Sequence, residues 1–381
     1  MKLFYQVRTS TLSVYPVLYN FFSQILAAFL ANIGFMSSGL GIGYMGPYGE
    51  IIMATLDIDK NLKSLLYGSV SVGGLVGCLL GKLADIIGRK WTIIMLFSLI
   101  SIGWLIVALS VNFEMILSGT ILHGVGEGLA SAVFITYLGE VISEKYRGGT
   151  IASAGVACIF GIVLAYILGL FLPWQHCAGC IALMNFLCLL SSAALQESEH
   201  WQDLRVKLKK KTEYTPATET NISWEEEKEP SGVKTSFSKA TILSTCIPPF
   251  LLFMCPLTGL YSISFYALSL LDTMNIGQPA AVAIAVGLVR TLGCVCAIGF
   301  VQKYGRRLAL IFSAGIATIL LFTVSVLLHA QPSLPAVAAS WSLIILLVML
   351  MFTISLGMTQ VPWILCGEWP DTKYKVSSIS C

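Results

Sequence analysis

Residues 81–113 read GKLADIIGRKWTIIMLFSLISIGWLIVALSVNF, and this stretch decides the fold. Its second part, Trp91–Phe113, carries no charged side chain and is long enough to cross a bilayer as a helix, which takes about 20 apolar residues. Its first part packs Lys82, Asp85, Arg89 and Lys90 into ten residues, with Gly81 and Gly88 as turn formers. A long apolar tract entered through a short charged turn is the grammar of a chain that crosses a membrane repeatedly.

The rest of the sequence repeats that grammar. Of its 381 residues, 56% are hydrophobic and 11% charged, against about 25% charged in a typical globular domain. Of the 43 Lys, Arg, Asp and Glu, 17 lie between Glu197 and Lys239. Elsewhere, tracts such as Phe21–Tyr48 and Leu308–Gly367 have none. A soluble core cannot hide so much apolar surface, whereas lipid solvates it directly. No tract shows the ten-residue alternation of a membrane barrel, so the fold class is an all-α membrane protein.

Apolar runs of spanning length number ten: Phe21–Met45, Ser64–Leu83, Trp91–Val111, Met115–Leu138, Thr150–Phe171, Cys177–Leu195, Ile242–Leu271, Pro279–Val301, Ala309–His329 and Ala336–Cys366. Placing both termini and the even-numbered loops on one side puts 20 of the 23 Lys and Arg there. The exceptions are Lys60 and Lys63 on the opposite side and Arg290 inside a span. The positive-inside rule makes the basic side cytoplasmic, N-terminus included. Met1–Thr11 has no secretory-signal pattern, so Phe21–Met45 reads as a retained span. The sequon Asn221-Ile222-Ser223 then faces the cytosol and is discounted. Arg205, Lys207 and Lys209–Lys211 form a basic cluster suited to a lipid-contacting surface.

The chain also repeats itself. Gly88-Arg89-Lys90 follows the second span, and Gly305-Arg306-Arg307 follows the eighth. Glu140 precedes Arg147 by seven residues after the fourth span; Glu368 precedes Lys375 by seven after the tenth. The same signals at matching span numbers divide the chain into residues 1–196, an N-terminal half of six helices; 197–239, a charged linker; and 240–381, a second half with four of six helices. Comparison with the first half leaves two helices of the second unaccounted for. Paired halves around a midplane site are the architecture of secondary transporters.

On these residues the chain resembles the major facilitator superfamily, whose signature loop Gly81–Lys90 matches. Gly124-Val125-Gly126-Glu127-Gly128 through Tyr137, Glu140 and Arg147-Gly148 resembles the sugar porter family, as do Gly305-Arg306-Arg307 and Val361-Pro362-Trp363 with Glu368. Trp174 and Glu197-Ser198-Glu199-His200-Trp201 are similar to the insect facilitated trehalose transporter branch. The resemblance implies facilitated transport of a trehalose or hexose by alternating access at the plasma membrane. It also implies a gating charge network of Asp85, Arg89, Glu140 and Arg147, with Arg306, Arg307 and Glu368 as its counterpart and Lys375 as a further candidate.

The same resemblance implies a sugar site, and here the sequence departs from it. The seventh-span amide pair and following Asn of the family read Cys255-Pro256 and Tyr261, beside Gly259 and Tyr266. The fifth-span Gln of many sugar porters corresponds to Gly155, and the stretch before the tenth-span Trp reads Gly357-Met358-Thr359-Gln360. Each unmet buried polar group costs about 1–3 kcal/mol, so three lost amides weigh against a sugar unless others replace them. The remaining candidates are Trp363 for the apolar face of a sugar ring and Gln360, Thr258, Tyr261 and Tyr266 for hydroxyls. For the two tyrosines, packing and ligand contact both stand open.

Two ionisable residues lie inside spans, where each costs at least about 2.5 kcal/mol without a partner or a cavity. They are Glu127 and Arg290, read either as a direct pair or as separate cavity-facing or snorkelling groups. The first-span acid and fourth-span Arg of proton-coupled relatives read Met45 and Thr120, which favours a facilitator, with Glu127 the residue that would overturn it. His123, His176, His200 and His329 make no metal-ligand spacing, and Cys177–Cys180 and Cys294–Cys296 read as packing, so no metal or cofactor is expected. No nucleophile–base arrangement or phosphate loop occurs, which argues against an enzyme; nothing points to nucleic acid. The competing functions are transport of another small solute, and a non-transporting sensor or a degenerate or truncated relative.

Overall fold

The computed structural model describes residues 2–59, 62–203, 205–206, 239–259, 279–330 and 336–368, and all the regular structure among them is helical. The first group of helices comprises α1 (Lys2–Thr55), α2 (Lys63–Leu80), the short α3 (Leu83–Ile87), α4 (Arg89–Ala108), α5 (Phe113–Val141), α6 (Glu144–Phe171) and α7 (Trp174–Ser192). The second comprises α8 (Lys239–Leu257), α9 (Pro279–Tyr304), α10 (Arg306–Ala330), α11 (Ala336–Leu356) and α12 (Gln360–Glu368). Among the described residues, nine helical spans are long and apolar enough to cross a membrane, and Cys246–Leu257 is a shorter apolar helix. The expected seventh span, Ile242–Leu271, accounts for the difference, because residues 260–278 lie outside those described.

Two helix boundaries differ from the sequence expectation. The first span does not stop at Met45 but stays helical through Pro47 to Thr55. Tyr48 and Ile52 are buried there, and the Tyr48 hydroxyl donates to the Leu172 carbonyl at 3.0 Å, so core contacts outweigh the proline. The tenth span is broken at Gly357–Thr359 into α11 and α12. Gly357 lies against the Ala309 carbonyl of α10, and Thr359 turns its backbone N–H to the Ile354 carbonyl at 3.1 Å. That break re-aims Gln360 and Trp363.

Lipid tails are as apolar as leucine, so helices associate in a bilayer through close packing rather than hydrophobic expulsion from water. Small residues supply it here. Gly73 and Gly77 of α2 face Gly124 and Gly128 of α5; a Cβ on any of the four would strike a carbonyl oxygen of the facing helix. Gly39 and Gly43 of α1 meet α6 around Gly161 and Ala165 in the same way. These contacts close α1·α6 and α2·α5, Gly103 and Gly119 bring α4 against α5, and the second group closes through α9·α11 and α10·α11. The two groups meet where α6 packs on α9 and α12.

Candidate solute cavity and charged turns

That meeting line holds a cavity. Its walls come from α1 (Phe35, Ile42), α5 (Ile135, Leu138), α6 (Gly155, Cys158), α9 (Arg290), and Thr359 and Trp363 at and after the helix break. Room for water-sized molecules is only about 60 Å³, far below the ~300–1,000 Å³ of clefts that bury a small ligand. The cavity is therefore narrower than one that buries a sugar-sized ligand.

The broken tenth span places two residues there. Trp363 crosses to the first helical group, its ring edge-on to Phe35 at 6.1 Å between centroids, with Phe35 backed by Phe134 at 6.3 Å. Gln360 is 1% exposed, and its side-chain amide has no partner of good hydrogen-bond geometry, the weakly bonding Cys294 thiol being its polar neighbour. The amide lies in the space a side chain on Gly155 would fill: a Cβ there would meet Gln360 Nε2 at 2.7 Å, and the amide oxygen closer still. The position where the family pattern expects a fifth-span Gln is thus empty on α6 and occupied by an amide from α12. An unpaired buried amide costs about 1–3 kcal/mol.

The other expected site residues fare differently. Thr258 is half-buried at the end of α8, and its hydroxyl donates back to the Cys255 carbonyl at 2.7 Å, which does not bring it to the cavity lining. Tyr261 and Tyr266 lie outside the described residues. Phe35, Thr359 and Cys158 enter the lining without having been singled out in the sequence. Arg290 is cavity-facing and 4% exposed, while Glu127 pairs with His123 at 3.0 Å rather than with Arg290. Cys177 and Cys294 are buried, Cys180 and Cys296 exposed, so neither close-set pair faces one site.

At the charged turn, Gly88 has φ 107°, a conformation open to glycine, and the turn it makes starts α4 at Arg89. Arg89 grips Glu140 twice, Nε to Oε2 at 3.1 Å and Nη2 to Oε1 at 3.0 Å, with both side chains 4% exposed. Its Nη1 donates to the Ala84 carbonyl at 3.0 Å and pairs with Asp85 at 3.0 Å. Arg147 does not join: its Nη2 reaches only the Ile142 carbonyl at 3.5 Å and its Nε is buried without a hydrogen-bond partner. Both carboxylate oxygens of Glu140 turn to the Arg89 guanidinium, and no described contact joins them to Arg147. In its place stands Glu197, whose Oε1 accepts the backbone N–H of Arg89 at 2.7 Å and of Lys90 at 3.3 Å, a negative cap on the α4 N-terminus. Trp201 Nε1 donates to the Asp85 carbonyl at 2.9 Å and pins the following segment to the same turn.

In the second group, Arg306 and Arg307 are exposed and line a groove of about 630 Å³ with Leu251, Val361 and Leu365. Glu368 ends α12 with its side chain outside those described, and Lys375 lies outside the described residues.

The whole chain was compared with known proteins. A family described as "Sugar (and other) transporter" matches residues 9–381. The chain is 27% identical over 375 residues to a facilitated trehalose transporter, Tret1, of Bombyx mori, covering 94% of this chain and 74% of that one. It is 26% identical over 368 residues to the sugar transporter ERD6-like 6 of Arabidopsis thaliana, covering 91% and 75%. Among solved structures, the proton:xylose symporter XylE bound to 6-bromo-6-deoxy-D-glucose superposes with a TM-score of 0.76 at 17% identity, over 95% of this chain and 85% of that one. That likeness establishes the major facilitator fold. With a narrow cavity between two helical groups, a buried Arg–Glu turn and a family match along almost its whole length, this multi-pass membrane protein belongs to the sugar (and other) transporter family.

Proposed function

We propose that this chain carries a trehalose or a hexose across the plasma membrane by facilitated, alternating-access transport. The observation that carries the substrate reading is Gln360, a buried amide with only the weakly bonding Cys294 thiol as polar neighbour, reaching from one helical group to Gly155 of the other. Neutral sugars present paired donors and acceptors and are bound through such amides, with an aromatic face for the C–H side of the ring. Trp363 supplies that face. The ligand then bridges both helical groups, so the binding energy can act on their relative motion. The distribution of Lys and Arg supports a cytoplasmic N-terminus. It puts the Arg89–Glu140 turn at the inner end, as part of a gate that Asp85 and Glu197 help to hold and that Arg306, Arg307 and Glu368 answer from the second half.

A second reading, a small solute other than a neutral sugar, is favoured by Arg290, a buried cation lining a mostly apolar cavity. Uptake of labelled trehalose and glucose into cells expressing the protein decides between them. Saturable sugar entry that Trp363→Ala abolishes supports the first reading; entry of an organic anion but of neither sugar transfers support to the second.

A further inference from the structure

The cavity lining carries a charge that a neutral sugar does not use. Arg290 lies in the membrane-spanning part of α9 and is 4% exposed. Among the described residues that line the cavity, Arg290 supplies the charge; the rest are apolar or small, with Cys158 and Thr359 only weakly polar. An ionisable side chain at bilayer depth is costly, and where it faces a cavity it belongs, as a rule, to a substrate or ion path. Arginine cannot lower that cost by giving up its proton, since guanidinium stays charged throughout the physiological range.

The lining therefore presents a positive charge. α9, α11 and residues 148–171 of α6 contain no Asp or Glu. Glu127 of α5 stands 3.0 Å from His123. Cys158 of α6, itself within electrostatic reach of Glu127, is also within reach of Arg290, as are Cys255 of α8 and Cys294 of α9. Thiols are uncharged at neutral pH.

Arg290 also belongs to the same polar patch as Gln360. Cys294 follows Arg290 by four residues, so the two share a face of α9 and stand about 6 Å apart along its axis. Cys294 is at the same time the polar neighbour of the Gln360 amide. That amide lies over Gly155, which lines the cavity together with Arg290 and Trp363. A cation, an amide and an indole ring thus converge from α9 and α12 within about a helical turn, comparable to the width of a sugar ring with its substituents.

We propose that the preferred substrate of this site is a sugar acid, a six-carbon sugar bearing one carboxylate. Arg290 holds the carboxylate, Gln360 takes ring hydroxyls, and Trp363 covers the C–H face. This rests on the transport reading above, which already requires the cavity to widen, and names its substrate class. A guanidinium presents two parallel N–H donors that match the two oxygens of a carboxylate. One arginine offsets one negative charge, which favours a carboxylate over a phosphate ester carrying about −1.5 to −2 at neutral pH. Charge-assisted hydrogen bonds of this kind correspond to a preference of about 10- to 150-fold over a neutral analogue.

The test uses the purified full chain in proteoliposomes. Exchange of labelled glucose and of labelled glucuronate is competed with unlabelled glucuronate, glucuronamide and glucose 6-phosphate. Glucuronate should compete at least about tenfold better than glucuronamide, which has its shape without its charge, and better than glucose 6-phosphate. In Arg290→Gln the ratio of glucuronate to glucose exchange should fall by about tenfold or more, while Arg290→Lys, which keeps the charge and loses the fork, should retain part of the preference. Glucose exchange that glucuronate inhibits no better than glucuronamide, or that glucose 6-phosphate inhibits best, overturns the proposal and leaves sugar transport standing. Binding is read separately from transport, by thermal unfolding of the detergent-purified wild type, where no variant has to fold. Glucuronate should raise Tm at concentrations about tenfold below those that glucuronamide requires. An equal response to the two, or none to either, overturns the sugar-acid site whether or not any sugar is carried.

Discussion

Replacing Glu140 by Gln keeps the shape of the charged turn and removes its central anion. Breaking a buried ion pair by removing one partner costs about 3–5 kcal/mol, because the other charge stays behind without compensation. Arg89 is in that position: its side chain is 4% exposed and two of its contacts are to Glu140. It keeps the Ala84 carbonyl and Asp85, each at 3.0 Å, and Asp85 is half exposed and well solvated. The residual contacts place the expected loss at the lower end, about 3 kcal/mol. For a folding unit of 150–250 residues this corresponds to a Tm lowered by roughly 6–12 °C. The assay is thermal unfolding of the detergent-purified protein, completed as a double-mutant cycle with Arg89→Ala. The cycle should return a coupling of at least ~1 kcal/mol, since the partners touch directly. A Tm within about 2 °C of wild type, or additive losses in the cycle, would refute the view that this pair holds the turn together.

Three further outcomes follow from the same packing. Gly155→Gln should crowd the Gln360 amide and reduce sugar exchange by about 5- to 150-fold, the equivalent of ~1–3 kcal/mol; adding Gln360→Gly should recover part of that loss, read as exchange rate in liposomes. Gly77→Leu forces a branched side chain into the α5 backbone at Val125 and Gly128, so folded protein recovered by size-exclusion chromatography should drop severely, while Gly68→Leu, which has open space around it, should be recovered normally. Glu197→Ala removes the anion from the α4 N-terminus and should lower stability by about 0.5–2 kcal/mol, seen as a Tm shift smaller than that of Glu140→Gln.

How much of this was readable beforehand depends on the range of the interaction. Spans such as Trp91–Phe113 were legible because bilayer thickness imposes a length on apolar runs. The packing of Gly73 and Gly77 on Gly124 and Gly128 was not read from the sequence, because which helices face each other is a tertiary matter. Arg89 and Glu140 were singled out by their positions in repeated turns, and the structure does bring them together. It leaves Arg147 outside that pair, because both carboxylate oxygens turn to the Arg89 guanidinium, an orientation that sequence spacing does not express. Glu197 lies 108 residues from Arg89, and its capping role depends on a backbone amide that any residue type carries. Gln360 filling the space over Gly155 depends on the break at Gly357–Thr359, which an apolar run conceals.

The central claim is that a sugar binds between the two helical groups and is carried by their alternation. The measurement that tests it most directly is trans-stimulated exchange by the purified protein in liposomes, with labelled trehalose or glucose outside and unlabelled sugar inside. A carrier should take up label saturably and faster when the lumen is loaded, and both effects should vanish in Trp363→Ala and weaken in Gln360→Leu. Uptake that neither saturates nor responds to internal sugar, or that is unchanged in both variants, would contradict a sugar site at Gln360 and Trp363.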